Sequence, residues 1–224
     1  MRVGLGTDKP PYIFENQARG LEYEVVTGAL TAAGLDFRVQ HAPPERLERM
    51  FLARQIDALT TVTARSNPDA HLSAPYLRYR NMAVALAVRQ LRLETIADLQ
   101  HYSISAFQRA RLLLGEEYYQ MTLRNPRYRE EARQIARNRL LYSGRVEVAV
   151  GDPLIFAYLN EQVAEQVDTS QPLTWYPLFP PTDYQMGFQD AETRDRFDAG
   201  LARLRASGEY QRILDRYRVD APAE

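Results

Sequence analysis

The residue types best suited to chemistry are scattered along this chain, and no spacing joins them into a catalytic or metal centre. Cysteine is absent, which removes disulfides, thiolate metal sites and thiol nucleophiles. His41, His71 and His101 stand far apart, with no partner one helical turn away, so no metal is expected. Neither a glycine-rich phosphate loop nor a Gly-x-Ser-x-Gly elbow occurs, and no cofactor is expected. What remains is a set of polar groups at places where strands give way to loops or helices. Asp152 follows an apolar run with only Gly151 between; with Pro153 after it, it reads equally as a helix cap. Glu22 begins a helix, where the dipole favours an acid, and offers an acceptor for a cationic group. The Phe107-Gln108-Arg109 segment crosses from a strand into a helix, whose first backbone N–H groups suit an anionic oxygen. Tyr12 follows two prolines that fix the local backbone, so its ring serves as a rigid pocket wall or as a core aromatic.

Composition narrows the partners. Basic and acidic residues number 28 and 29, a net charge of −1, so the chain has no field with which to hold a polyanion, and no nucleic acid is expected. Among the basic residues only Lys9 is lysine, a bias attributed to codon usage. The Arg and Glu residues of 128–139 read as a solvated helix face. Hydrophobic content of 45% with 25% charged residues is that of a folded globule, and 224 residues suffice for one or two units with real cores. No apolar run is long enough to span a bilayer, and the N-terminus lacks a signal pattern, so an exported protein is expected here as its mature portion.

The periodicity places these groups on alternating elements. A strand at 2–5 is followed by the Pro10-Pro11-Tyr12 turn and a helix with Val25, Val26, Ala29 and Leu30 inward, ending at Gly34. A strand at 37–40, a helix entered through Pro43-Pro44, and a strand at 57–60 come next. This alternation predicts parallel strands joined by helical crossovers, hence an α/β sheet. The apolar run 82–88 predicts a strand long enough to pass from one unit to another. The pattern then restarts with a strand at 103–107, helices at 109–121 and 128–142, a strand at 146–150 and a helix through 155–163. Trp175 and Tyr176 fall on a late strand, where sheet packing is favoured over ligand stacking. A strand at 184–188 returns the chain to the first unit, and two helices split by Gly208 close it.

Taken in order, several short segments resemble the bacterial extracellular solute-binding proteins of family 3. They are Pro10-Pro11-Tyr12-Ile13-Phe14, Gly20-Leu21-Glu22-Tyr23-Glu24, Gln55-Ile56-Asp57-Ala58, Leu72-Ser73-Ala74-Pro75-Tyr76, Ala97-Asp98-Leu99, Ala106-Phe107-Gln108, Gly144-Arg145-Val146-Glu147 with Asp152, and Ser207-Gly208-Glu209-Tyr210. The resemblance implies an α/β, two-lobe type II periplasmic binding protein fold with two crossover hinge strands. Lobe one would be 1–85 with 187–224 and lobe two 86–186, closing on a ligand at the carboxyl ends of the strands. It implies a small polar ligand, an amino acid or related zwitterion, for transport or sensing. Asp152 would take its ammonium. Arg65, in the polar loop after Thr60, Thr61 and Thr63, would take its carboxylate, although it stands one residue away from the family's usual spacing. Arg46 and the amides near Gln108 are the substitutes, and Tyr12, Glu22, Phe107 and Arg109, the last as extra positive charge in the cleft or an outward-facing side chain, complete the expected set. A monomer without catalytic residues, periplasmic and served by a membrane permease or receptor, is the first expectation. A cyclohexadienyl dehydratase-like enzyme or the sensor domain of a membrane receptor is the alternative, since fold alone separates none of these.

Overall fold

The computed structural model of the protein describes residues 1–14, 17–63 and 70–218. It divides into unit 1, Met1–Tyr79 with Thr182–Arg218, and unit 2, whose described part is Arg80–Pro181. Arg65 lies outside the described residues.

Unit 1 starts with β1 (Arg2–Leu5), α1 (Leu21–Ala32), β2 (Arg38–His41), α2 (Pro44–Leu52), β3 (Ala58–Val62) and the short strands β4 (His71–Leu72) and β5 (Leu77–Tyr79). β2 and β3 flank β1 and run parallel to it, with Val3 opposite both Val39 and Ala58. The strand order therefore reverses at β1, and the groups following β1 and β3 share one end of the sheet. α1 turns Val25, Val26, Ala29 and Leu30 into the core, all fully buried; each of the two valines and the leucine contributes roughly 1.5–3 kcal/mol.

Unit 2 contains β6 (Met82–Leu86), β7 (Ile104–Phe107), α3 (Ala110–Leu113), α4 (Glu116–Arg124), β8 (Tyr128–Glu131), α5 (Gln134–Tyr142), β9 (Val148–Gly151), α6 (Pro153–Val163) and β10 (Leu173–Tyr176). Its sheet runs β10-β6-β9-β7-β8, with β8 and β9 parallel to the β7 between them. Alternate residues serve the two faces: Val148 and Val150 join Ile104, Tyr118 and Met121, while Ala149 joins Val84, Leu141 and Phe156. The chain re-enters unit 1 through β11 (Thr182–Phe188), antiparallel to β3, β4 and β5, and ends in α7 (Ala191–Ala206) and α8 (Glu209–Arg216).

Four sequence expectations differ from these elements. The division falls at Tyr79/Arg80 and Pro181/Thr182 rather than at 85/86 and 186/187, because β6 pairs along its length with β10 and β9, and β11 with the strands of unit 1. The expected helix 109–121 is broken at Gly115, whose φ of 98° ends α3 before α4 begins. The expected helix 128–142 begins as a strand: β8 takes the sheet edge beside β7, and α5 starts only at Gln134. Within that stretch the solvated-face expectation also fails for Arg137, which is fully buried.

Candidate functional site

In unit 1 the polar groups gather where β1 and β3 end. Gly20 opens α1 with φ 123°, and a side chain there would strike the Tyr12 carbonyl oxygen at 2.3 Å. Only glycine lets that carbonyl reach the helix, where it accepts the N–H of Glu22 at 2.9 Å. Tyr12 and Glu22 are thereby fixed to one another, and both side chains turn inward, exposed 2% and 0% respectively.

The Glu22 carboxylate is met on every side. Oε1 accepts the hydroxyls of Thr61 and Tyr76, both at 2.5 Å; Oε2 accepts the Tyr79 hydroxyl at 2.9 Å and the Lys9 ammonium at 3.0 Å. Burial alone would push this carboxyl up, but the Lys9 charge and the Thr61 and Tyr76 hydroxyls outweigh it and hold it below its ordinary value. Burial, with the neighbouring Glu22 charge, raises the Tyr76 phenol well above the usual range, so it stays a neutral donor. Thr61 adopts φ 61° at the end of β3, a conformation that costs a β-branched residue about 1–3 kcal/mol. Its N–H bond to the Tyr76 oxygen at 2.9 Å and its hydroxyl bond to Glu22 hold it there. Around the pair, Tyr12 stacks on Tyr79 at 4.2 Å between ring centroids, and Tyr184 meets Tyr79 edge-on at 4.5 Å.

Of the other candidates in unit 1, Thr60 is buried, Thr63 half-buried, and Arg46 stands exposed on the first turn of α2. The structure thus brings Tyr12, Glu22 and Thr61 together and leaves Arg46 on the helix surface.

Unit 2 has the same switch-point arrangement after β7 and β9. Asp152 is the N-cap of α6: its Oδ1 accepts the N–H groups of Leu154 at 2.9 Å and Ile155 at 3.2 Å, and the residue is 4% exposed. Behind it lies Arg137 from α5, whose Nη1 donates to the Val150 carbonyl at 2.9 Å. A Cβ on Gly151 would come within 2.0 Å of that nitrogen, so glycine here is the room the guanidinium occupies. Among the described residues Nε and Nη2 of Arg137 have no hydrogen-bond partner. Burial lowers its pKa to about 10, against the attraction of Asp152.

The amides expected to bind an anion at the start of α3 already hold one. Glu130 of β8 accepts the Arg109 N–H at 2.7 Å on Oε2, and on Oε1 the Arg111 N–H at 3.1 Å and the Tyr128 hydroxyl at 2.8 Å. Burial would raise the Glu130 carboxyl, but these donors keep it below its ordinary value. Phe107 is half-buried against the core, while Gln108 and Arg109 are exposed.

Sequence reasoning missed Lys9, Tyr76, Tyr79, Glu130 and Arg137. Lys9 alone carried a signal, as the one lysine among 28 basic residues, placed in the loop that follows β1. Among the described residues no three His, Asp or Glu side chains come together as a metal set, and no helix is long and apolar enough to cross a membrane.

No curated protein matches the chain in sequence. Among solved structures it is similar to the GluR0 ligand-binding core in complex with L-glutamate, at 14% identity over 96% of each chain with a TM-score of 0.74. It is also similar to a histidine kinase sensor domain that itself resembles periplasmic binding proteins, at 19% identity over 97% of this chain and 95% of that one, TM-score 0.72. A third is ArtJ, the arginine-, lysine-, histidine-binding protein of Geobacillus stearothermophilus, at 17% identity over 99% and 96%, TM-score 0.68. Such identities speak for the fold, which is the mixed α/β fold of type II periplasmic binding proteins with its two sheets. The description "Bacterial extracellular solute-binding proteins, family 3" covers residues 1–220, and the chain belongs to that family.

Proposed function

We propose that the protein binds an amino acid or closely related zwitterion outside the cytoplasm, in the periplasm, and hands it to a membrane permease or reports it to a receptor without converting it. The observation carrying this reading is that each unit gathers polar groups at the carboxyl ends of its parallel strands, where open α/β sheets receive ligands. The names of similar structures, an arginine-, lysine-, histidine-binding protein and a core holding L-glutamate, point to the same ligand class. Asp152, the carboxylate at the end of β9, is the anchor for the ammonium in unit 2, and it caps α6 through its Oδ1. Arg65 is the anchor for the carboxylate.

The reading without catalysis rests on the state of the acids. Glu22 already accepts four donors, and Glu130 accepts backbone N–H groups, so neither is poised to exchange a proton with a substrate. A thermal-shift screen against the twenty amino acids tests the proposal, because a ligand that binds only the folded state raises the melting temperature by mass action. A rise with at least one amino acid is expected. Calorimetry on Asp152→Ala with that amino acid should show a loss of about thirtyfold or more, the consequence of leaving a buried ammonium without its partner. No shift with any of them would sink the reading, and conversion of prephenate or arogenate would replace it with the enzymatic one.

A further inference from the structure

Lys9 is placed unlike any surface lysine. Its ammonium lies 3.0 Å from a fully buried carboxylate and over two aromatic rings, 4.6 Å from the Tyr79 centroid and 5.6 Å from that of Tyr12. The backbone holds it there: the Lys9 N–H donates to the Ile13 carbonyl at 2.9 Å, and the Lys9 carbonyl accepts from Tyr12 and Ile13 at 2.9 and 3.0 Å. The side chain is 24% exposed, so it stands between Glu22 and solvent at the end of the sheet where ligands of such folds arrive. An acid flanked by aromatic faces is the arrangement that recognises an organic cation. Here the cation is supplied by the chain itself.

We infer that Lys9 is a built-in occupant of this cation subsite, filling the place a ligand's basic side chain would take, so that the protein accepts amino acids with neutral or acidic side chains and rejects basic ones. The inference rests on the amino-acid reading above and names the substrate class within it. Two physical arguments carry it. A carboxylate offers about four acceptor directions, and all four on Glu22 are filled by Thr61, Tyr76, Tyr79 and Lys9. An arriving guanidinium or ammonium would find no acceptor direction left on Glu22 and would meet the Lys9 charge in surroundings of low dielectric. Towards solvent the same ammonium offers donors, which suits a carboxylate or amide oxygen on the ligand. The residue type fits as well: in a chain that otherwise uses arginine, the slim ammonium reaches Glu22 past two rings where a planar five-donor fork would be broader.

The test is calorimetry of the parent, Lys9→Met and the double variant Lys9→Met/Glu22→Gln with L-glutamate, L-glutamine and L-arginine. Lys9→Met leaves Glu22 with its three hydroxyl donors and an opening beside it, and it should bind L-arginine at least roughly thirtyfold more tightly than the parent does. The double variant should lose that gain, since the acid is what the guanidinium seeks. Lys9→Leu, which removes the ammonium and brings no donor, serves in the same comparison should Lys9→Met fail to fold, judged by thermal melting. Parent binding of L-arginine as tight as that of the variant, or no gain in either variant, overturns the inference. Failure of the parent to bind any of the three bears on the amino-acid reading alone; the gain in the variant is decided separately.

Discussion

In unit 1 the buried ion is an acid whose acceptor directions are all met by named donors, three of them hydroxyls. In unit 2 it is an arginine of whose three nitrogens one is bonded, to the Val150 carbonyl, while two have no partner among the described residues. The two units share strand topology at these ends, so the difference lies in what each corner can supply. Hydroxyls come from any neighbouring element, and Thr61, Tyr76 and Tyr79 come from two strands and a loop. The guanidinium behind the strand meets one carbonyl, that of Val150 in β9. The first site is a closed polar network, which rigidifies; the second is a charge retained at a cost, its place reserved by Gly151.

The largest effect that could break this contrast is expected from Glu22→Ala. It strands the Lys9 ammonium and three hydroxyls around an empty space, and removal of one partner from such a buried pair costs about 3–5 kcal/mol. Urea denaturation would show it as a lower midpoint with unchanged slope. Arg137→Met should cost far less, because the methionine fills the volume and removes a charge of whose nitrogens only one is bonded, and what it loses is the attraction to Asp152. Equal losses in the two variants would mean that the units do not differ in the way described.

Glu130→Ala is expected next, at about 1–3 kcal/mol, since it leaves the Arg109 and Arg111 N–H groups without their shared acceptor. Its effect belongs to unit 2, and with it the expectation of free amides near Gln108 can be examined directly. In the parent, chloride or acetate should not change the amide NMR signals of 109 and 111. In Glu130→Ala an added carboxylate should shift them. Shifts of equal size in both proteins would show that Glu130 does not occupy the amides.

The fold was readable from residues in order, because burial imposes period: Val3 and Leu5, Val25 to Leu30, and Val148 to Val150 alternate or recur as their neighbours require. The elements misread were those whose fate is set from outside. Tyr128–Glu131 has no strong strand pattern of its own and becomes a strand because β7 offers an edge. The site was legible in part: Tyr12 and Glu22 stood out by position, and Thr61 by its place at a strand end. Tyr76 and Tyr79 reach Glu22 across 54 and 57 residues of chain, and a single sequence carries no mark of that meeting. Arg137 looked like its exposed neighbours Arg133 and Arg139, since helical phase in a short, evenly polar segment does not reveal which arginine turns inward.

The pH dependence of the two buried ions should run in the same sense, stability rising with pH, but in separate ranges and for opposite reasons: a favourable charge lost in acid, and an unfavourable one relieved in alkali. Glu22 has a lowered pKa in the folded state, so its contribution is present above the ordinary carboxylate pKa and is lost as pH falls through the lowered value. The stability gap between the parent and Glu22→Gln should therefore narrow as pH falls below the ordinary carboxylate pKa and on through the lowered value. Arg137 has a lowered pKa too, about 10, but it is a base. Below that value it is charged in both states and the burial cost is present in full; above it the folded protein releases the proton before the unfolded chain does, so stability relative to Arg137→Met should rise from about pH 9 to pH 11. Gaps constant with pH in both pairs would remove the electrostatic distinction between the units.

The smallest expected effect separates the two things Asp152 does in the folded chain. Its Oδ1 caps α6, and its charge faces the buried Arg137. Asparagine is as good an N-cap as aspartate, whereas alanine loses the cap at about 1 kcal/mol. Asp152→Asn thus keeps the bonds to Leu154 and Ile155 and removes only the charge opposite Arg137, so its loss of stability measures the attraction between the two. Asp152→Ala removes both, and the difference between the variants should be about 1 kcal/mol, the value of the cap. In an Arg137→Met background the Asn substitution should become nearly neutral while the Ala substitution keeps its cost of about 1 kcal/mol. Should Asp152→Asn cost as much in that background as in the parent, the charge does not act through Arg137, and the guanidinium is held by packing and the Val150 carbonyl alone.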